Sequence, residues 1–257
     1  MNSGFDIWRE QRQVELAAPE SWLGLIGLFW LEPGSNAVGT AGPVRLPEGP
    51  ARLGMLDWQG ASLVWRPAEG EAVVLHTDRV GEPTRVTCGQ LAFFVIERDG
   101  RLALRLRDLA WRDKRHFAGV ACFPFDPDWC LEAKWQVLAQ PMELQIQTMT
   151  GDLKIVPVRH RAVFVRDGME CALLPLEDGD EGVFFVFRDQ TAGKETYGGG
   201  RFLRAPPARD GRILLDFNRA YNPPCAFTPF AACPLPPPEN RLPFPVMAGE
   251  KRYADEG

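Results

Sequence analysis

The sequence lacks the features that mark nucleic-acid-binding, membrane-spanning and exported proteins. It contains no run of five Lys or Arg residues, and its net charge is −5, so the positive surface that nucleic acid requires is missing. The most apolar early stretch, residues 23–31, is less than half the roughly 20 residues that a membrane helix needs. No basic segment with a small-residue cleavage site precedes it. We therefore expect a soluble, cytoplasmic protein with neither nucleic acid nor a membrane as its partner.

The familiar catalytic and metal-binding motifs are also missing. No GxxxxGK[ST], GxSxG, HExxH or EF-hand pattern occurs, which argues against a nucleotide P-loop, a serine-hydrolase elbow, a zinc protease and a calcium loop. The three histidines, His76, His116 and His160, are far apart in sequence and have no paired spacing. Structural zinc needs four nitrogen or sulfur ligands. We expect no metal and no cofactor.

The six cysteines contain no CxxC pair, and in a cytoplasmic protein we expect all of them to be reduced thiols. Cys225 and Cys233 lie close together in a segment rich in proline and phenylalanine. Two interpretations stay open for this pair. Both thiols can be buried and inert, as most buried cysteines are. The alternative is a reactive pair, in which Cys225 acts with His116 or His160 in a cysteine-dependent hydrolase or transferase.

The first half of the chain reads as a short helical segment followed by many short strands. Residues 6–17 predict an amphipathic helix, and residues 22–26 predict a second short one. Short apolar runs separated by turn residues then fill residues 36–111, which is typical of an antiparallel sandwich. Residues 101–108 alternate Arg and Leu. This predicts a strand with one buried face and one basic, solvated face.

A charged, proline-containing break at residues 112–127 precedes a second series of strands between residues 132 and 217. Gly151-Asp152 and Asp167-Gly168 predict hairpin turns. The many prolines after residue 222 exclude regular sheet there and predict an extended tail that wraps the domain. The expected fold is all-β, mainly an antiparallel sandwich or barrel, with a short helical N-terminus. Its expected parts are residues 1–35, 36–111 and 128–257.

The C-terminal half carries specific sequence motifs. They are FVFRDQTAGKETYGGGRFL at residues 185–203, LDFNRAYNPPCAFT at 215–228 and CPLPPP at 233–238, together with GLFWL at 27–31 and AGEK at 248–251. Through these motifs the chain resembles a family of bacterial and archaeal proteins labelled domain of unknown function sixteen-eighty-four. The resemblance implies membership of the family and carries no catalytic residue with it.

A second resemblance concerns residues 36–111. The segments NAVGT at residues 36–40, VRLP at 44–47 and GQLAF at 89–93 are similar to the opening and closing strands of forkhead-associated sandwiches. Those domains read phosphothreonine through an Arg and a Ser-Arg-x-x-His element. Here Thr40 and the segment PARLG at residues 50–54 stand in the corresponding regions. We therefore expect a scaffold at this place in the chain.

The densest polar cluster precedes and follows three glycines, Gly198 to Gly200. Lys194, Glu195 and Tyr197 come before them and Arg201 comes after. Consecutive glycines allow backbone amides to approach a ligand, and an arginine beside them can clamp an anion. If the glycines fold the chain back, Arg201 joins Lys194 and Glu195 in one constellation. The alternative is a solvated turn in which glycine serves only the backbone.

A second polar cluster contains Asn218, Tyr221, Asn222 and Cys225, where a strand runs into Pro223-Pro224. Ordered loops at strand ends often carry binding sites, although Asn218 and Asn222 can instead satisfy loop backbone groups, and Arg219 is expected to face solvent. We expect both clusters to form a pocket that binds a small polar or anionic molecule. Whether that molecule is converted stays open. The alternative is a non-catalytic protein-interaction module without a deep pocket.

Overall fold

The computed structural model describes residues 3–254 of the chain. The fold is all-β and mainly antiparallel, as predicted, with helix α1 (Ser3–Ala17) before the strands. The chain divides into two units. Pro19–Arg115 form one of them, which we call the continuous unit, whereas Met1–Ala18 and His116–Gly257 together form the other, which we call the split unit. These boundaries differ from the expected ones, because the sequence did not indicate that α1 belongs to the same unit as the C-terminal half.

The continuous unit is built from two sheets. Its strands are β1 (Leu25–Trp30), β2 (Gly34–Gly39), β3 (Val44–Arg45), β4 (Gly54–Gln59), β5 (Ser62–Pro67), β6 (Val73–Val74), β7 (Val86–Cys88), β8 (Leu91–Arg98) and β9 (Arg101–Asp108), followed by the one-turn helix α2 (Trp111–Lys114). Across the described residues, one sheet has the order β1-β9-β8-β7 and the other β3-β2-β4-β5-β6. Leu56, Trp65, Phe93 and Leu104 belong to the apolar cluster of this unit. Its likeness to a forkhead-associated sandwich stays a prediction.

The basic face of β9 is solvated only in part: Arg101 is exposed, as expected, whereas Arg105 is buried and Arg107 is half-buried. Arg105 is 6% exposed, and its guanidinium lies 5.4 Å from the ring of Trp22. Arg107 lies 5.5 Å from the ring of Phe94. The alternation of Arg and Leu predicted the strand correctly, but aromatic rings cover Arg105 and Arg107 through cation–π contacts.

The split unit also contains two sheets. Its strands are β10 (Cys130–Gln147), β11 (Leu153–Arg166), β12 (Met169–Leu173), β13 (Glu177–Gly179), β14 (Gly182–Phe187), β15 (Arg201–Ala205) and β16 (Arg212–Asp216). Within residues 3–254 the sheet orders are β12-β11-β10-β16 and β13-β14-β15. Strands β10 and β11 form a long hairpin, because their pairing continues through a register shift between Val137 and Met142.

The proline-rich tail packs onto the split unit, as the sequence predicted. Leu242, Phe244, Val246 and Ala248 belong to the same apolar cluster as the strands. Asn240 is fully buried; its amide nitrogen donates to Leu174 O and Val186 O, and its Oδ1 accepts from Leu174 N. These bonds satisfy backbone groups that an irregular segment would otherwise leave buried and unpaired. In the described part of the chain, no helix has the length and apolar character needed to cross a membrane.

Candidate functional site

Buried side chains form hydrogen bonds within the loop between β14 and β15. Asp189 Oδ1 accepts a hydrogen bond from Thr191 N at 2.8 Å. The hydroxyls of Thr191 and Thr196 lie 2.8 Å apart, and both residues are 1% exposed. Lys194 and Glu195, between them, point into solvent. The loop is therefore a braced turn with an exposed charged tip.

Arg201 begins β15 and is buried against the tail. Its Nη2 donates to Asp189 Oδ2 at 2.6 Å and to Val246 O at 2.9 Å, and its Nη1 donates to Ala248 O. The expected constellation of Arg201 with Lys194 and Glu195 is wrong. The carboxylate that compensates Arg201 is Asp189, because the β14–β15 ladder brings the start of the loop back to its end.

The glycine run has one position that only glycine fits. Gly200 has φ +91°, and a Cβ placed on it would lie 2.5 Å from Phe187 O and 2.6 Å from Pro236 Cγ. Its amide donates to Tyr197 O at 3.1 Å, which closes a turn. Gly200 thus allows the loop, β14 and the tail to approach closely.

Tyr197, Cys225 and Cys233 meet beside this turn. The Tyr197 hydroxyl donates to Cys225 O at 3.1 Å, and Cys225 N donates to Cys233 Sγ at 3.2 Å. A hydrogen bond from Cys233 lowers the pKa of the Cys225 thiol, against an opposing effect of burial. Burial raises the pKa of Tyr197. The two clusters predicted from sequence therefore touch through Tyr197 and Cys225.

Asn218 has the structural role that was weighed against ligand binding. It is fully buried, and it exchanges two hydrogen bonds with the backbone of Asp126, at 2.9 and 3.0 Å. The backbone amide of Asn218 donates to Asp216 Oδ1 at 3.1 Å. The side chain therefore closes the end of β16 and does not face a cavity.

Asn222 joins α1 to the tail. The backbone amide of Asn222 donates to Glu250 Oε2 at 2.6 Å, and Arg12 Nε donates to Glu250 Oε1 at 2.9 Å. Arg12 Nη2 also donates to Asn222 O at 3.1 Å. Among the described residues, nothing hydrogen-bonds the buried Asn222 Oδ1. Burial raises the pKa of the Glu250 carboxyl, while Arg12 and Asn222 oppose that shift.

A cavity of about 460 Å³ opens next to this network, and we call it the arginine cavity. It is lined by Trp8, Arg12, Glu15, Arg204, Arg219 and Tyr221. The Arg12 guanidinium lies 4.9 Å from the centre of the Tyr221 ring. Burial raises the pKa of Tyr221, and the neighbouring Arg204 and Arg12 oppose that shift. Three guanidinium groups and a phenol thus surround one space.

Sequence reasoning placed only Tyr221 in this cavity. Trp8, Arg12 and Glu15 were not predicted as site residues, because only the apolar residues of α1 were used to predict the helix. Their spacing of four and three residues puts them on one helical face, and this signal was available in the sequence. Arg219 was expected to face solvent, and it is exposed, with its Nε 3.2 Å from Asp216 Oδ2. Arg204 was not predicted as a site residue, since it lies outside both polar clusters of the sequence.

The remaining predicted residues lie outside the cavity lining. Lys194, Glu195, Tyr197, Arg201, Asn218 and Cys225 are elsewhere, and Asn222 reaches the cavity through Arg12. A search of residues 3–254 finds no group of three or more His, Cys, Asp or Glu side chains arranged to hold a metal ion.

Comparison with known proteins gives a family without a described activity. The model of the family described as "Protein of unknown function (DUF1684)" matches residues 115–251. A solution NMR structure of an uncharacterized protein from Haloarcula marismortui is 36% identical in sequence, over 55% of this chain and 80% of that chain, with a TM-score of 0.45. No curated protein gave a significant match.

Proposed function

This chain belongs to the DUF1684 family of proteins of unknown function, and we propose that its split unit binds a small anionic molecule in the arginine cavity. The observation that carries the proposal is the convergence of Arg12, Arg204 and Arg219 on one space of about 460 Å³. Ligand cavities commonly measure about 300–1,000 Å³. Guanidinium groups bind carboxylate and phosphate through paired, planar hydrogen bonds.

Arg12 is held in place before any ligand arrives. Glu250 and Asn222 O fix its guanidinium, and the rings of Tyr221 and Phe227 lie 4.9 and 5.8 Å from it. Only 15% of its side chain is exposed. Little side-chain entropy is then lost on binding, which favours affinity.

Arg204 and Arg219 are the adaptable cations of the cavity. The Arg204 side chain is 63% exposed, and its contact with Glu177 is 3.8 Å long. Arg219 is 43% exposed and pairs with Asp216. Exposed ion pairs of this kind contribute little free energy, so an anion can replace them at small cost. Glu15 opposes the positive charge and favours a ligand that also offers a hydrogen-bond donor.

The other predicted residues have supporting parts in this proposal. Arg201 and Asn218 hold the loops next to Arg204 and Tyr221 through their hydrogen bonds to Asp189, Val246 O and Asp126 O. Participation of Lys194, Glu195, Tyr197 and Cys225 in binding stays a prediction. Trp8 provides an aromatic wall, which suits an anion with a planar or apolar part.

Calorimetry tests the proposal with inorganic phosphate, citrate and benzoate, at low and constant salt because screening weakens exposed charges. We expect Arg204→Ala to weaken the binding of the best probe about tenfold, the effect of losing one charged hydrogen bond of about 1.5 kcal/mol. Arg209→Ala is the matched control, since Arg209 is an exposed arginine outside the arginine cavity.

Equal loss in both variants would mean that only the general charge of the surface matters, and it would contradict the proposal. Failure of the wild-type protein to bind any of the three anions would favour the protein-interaction module instead.

A further inference from the structure

Cys225 and Cys233 are in contact although seven residues separate them in the sequence. The 3.2 Å contact from Cys225 N to Cys233 Sγ places the Cys233 sulfur next to the backbone that carries the Cys225 side chain. The proximity of Cys233 also lowers the pKa of the Cys225 thiol. Disulfide formation requires two thiols whose Cα atoms lie within about 7 Å of each other, and this arrangement favours that geometry.

The two sulfurs differ in access. Cys225 is partly exposed, whereas Cys233 is 4% exposed. Cys225 lies in a short 3-10 turn, Pro224–Ala226, that follows Pro223, and Cys233 O is fixed by a 2.9 Å hydrogen bond from Met149 N. The backbone therefore presents Cys225 to solvent and holds Cys233 behind it.

We propose that Cys225 and Cys233 form a reversible dithiol–disulfide site that reacts with hydroperoxides, with Cys225 as the attacking sulfur and Cys233 as the resolving one. This site is separate from the arginine cavity and does not depend on its function.

The reaction has two steps. The Cys225 thiolate attacks a peroxide oxygen, so that an S–O bond forms, the O–O bond breaks and the departing oxygen takes a proton to leave as water or an alcohol. The Cys233 sulfur then attacks the sulfenic acid, an S–S bond forms, and the hydroxyl leaves as water after taking the Cys233 proton. Two thiols are oxidised and one peroxide is reduced. A small dithiol reverses the reaction by exchange.

The surroundings favour Cys225 over the other thiols. The pKa of the Cys225 thiol is lowered, chiefly through the neighbouring Cys233 thiol, while the Tyr197 hydroxyl donates to Cys225 O and fixes the backbone there. Burial raises the pKa of Cys122 and Cys130 to about 11 and also raises the pKa of Cys171. Because the thiolate is the reacting form, these three cysteines serve as internal controls.

The test treats the reduced full-length protein with one equivalent of hydrogen peroxide, blocks the remaining thiols with N-ethylmaleimide, and digests with trypsin. Both cysteines fall in the single tryptic peptide 220–241. We expect this peptide to lose two hydrogen atoms and take no maleimide, and to take two maleimides after dithiothreitol. It should be oxidised faster than the peptide with Cys171, since burial raises the pKa of Cys171 and the thiolate is the reacting form.

Variants separate the roles of the two sulfurs. With Cys233→Ser, dimedone should trap a sulfenic acid on Cys225, whereas Cys225→Ser should leave Cys233 as a free thiol. Cys171→Ser is the matched control and should form the disulfide at the wild-type rate. If either variant fails to fold, the wild-type protein in urea replaces it, and there the preference for peptide 220–241 should disappear. Retention of both thiols in that peptide while Cys122 or Cys171 is oxidised would overturn the proposal, as would a preference that survives in urea.

Discussion

Arg201 and Asp189 form a buried ion pair, with Nη2 and Oδ2 2.6 Å apart and only 1% of each side chain exposed. The same guanidinium donates to Val246 O and Ala248 O. Arg201 therefore connects the start of the β14–β15 loop, the start of β15 and the C-terminal tail. Removing one partner of such a pair leaves the other charge buried without compensation.

We expect Arg201→Ala to lower the free energy of unfolding by about 3–5 kcal/mol, the usual effect of breaking a buried ion pair. The matched control is Arg212→Ala, since Arg212 pairs with Glu132 at the surface and its side chain is 66% exposed. That change should cost less than about 1 kcal/mol. Urea unfolding followed by tryptophan fluorescence measures both, and equal small losses would contradict the role assigned to Arg201.

Gly200→Ala tests the close approach of the backbone at the end of the glycine run. Both Gly200 and Gly193 have positive φ values, +91° and +84°, but a Cβ on Gly193 would have no neighbour within 4 Å. Gly193→Ala should therefore cost only the backbone strain, about 1 kcal/mol. We expect Gly200→Ala to cost clearly more in thermal or urea unfolding, because Phe187 O blocks the methyl group. Similar losses for the two variants would show that the clash is relieved.

Glu250 should make stability depend on pH. Burial raises its pKa above the ordinary value of 4.5, so the folded protein holds this proton more tightly than the unfolded chain does. The resulting stabilisation is fully present below pH 4.5 and is lost as the pH rises through the raised pKa of the folded state. The Glu250→Gln variant has no titratable carboxyl at this position.

Relative to Glu250→Gln, the wild-type protein should thus lose free energy of unfolding as the pH increases above 4.5. Urea unfolding over a pH series measures the difference, with the exposed Glu239→Gln as the control. If the free energy of unfolding of the wild-type protein rises with pH relative to that of the Glu250→Gln variant, the ion pair with Arg12 has a larger effect than burial, and the prediction is wrong.

Asn240→Ala should detach the tail from the sheet. The change removes three hydrogen bonds and leaves the amide and carbonyl of Leu174 and the carbonyl of Val186 buried without partners. A loss of at least about 2 kcal/mol is expected, because each unsatisfied buried group costs about 1–3 kcal/mol. Glu239→Ala, at the exposed neighbouring position, is the control. Hydrogen exchange should show faster exchange at Leu174 in the Asn240 variant, and an unchanged rate there would contradict the prediction.

The elements set by local pattern were predictable from sequence. Helix α1 was expected at residues 6–17 and is Ser3–Ala17. The Asp167-Gly168 turn has φ values of +51° and +76°, as the sequence of a tight hairpin predicts. Ser21 accepts a hydrogen bond from Leu23 N and so caps the predicted start at Trp22, but the turn ends at Gly24 and β1 begins at Leu25, so the helix expected at residues 22–26 is wrong in extent. These features depend on a few neighbouring residues.

The site was less predictable, because its contacts join distant parts of the chain. Arg201 beside three glycines looked like an anion clamp, and its acceptors at Val246 and Ala248 lie more than forty residues away. Arg12 pairs with Glu250 across a separation of 238 residues. No spacing rule in a single sequence reveals such partners, so the residue types were found but their roles were not.

The discontinuity of the split unit bears on how the protein folds as it is synthesised. The continuous unit is complete in the chain once residue 115 has left the ribosome, so it can fold while synthesis goes on. Helix α1 precedes the continuous unit in the sequence, whereas its partners Asn222 and Glu250 follow it. The contacts of α1 within the split unit can therefore form only after the whole continuous unit has been synthesised.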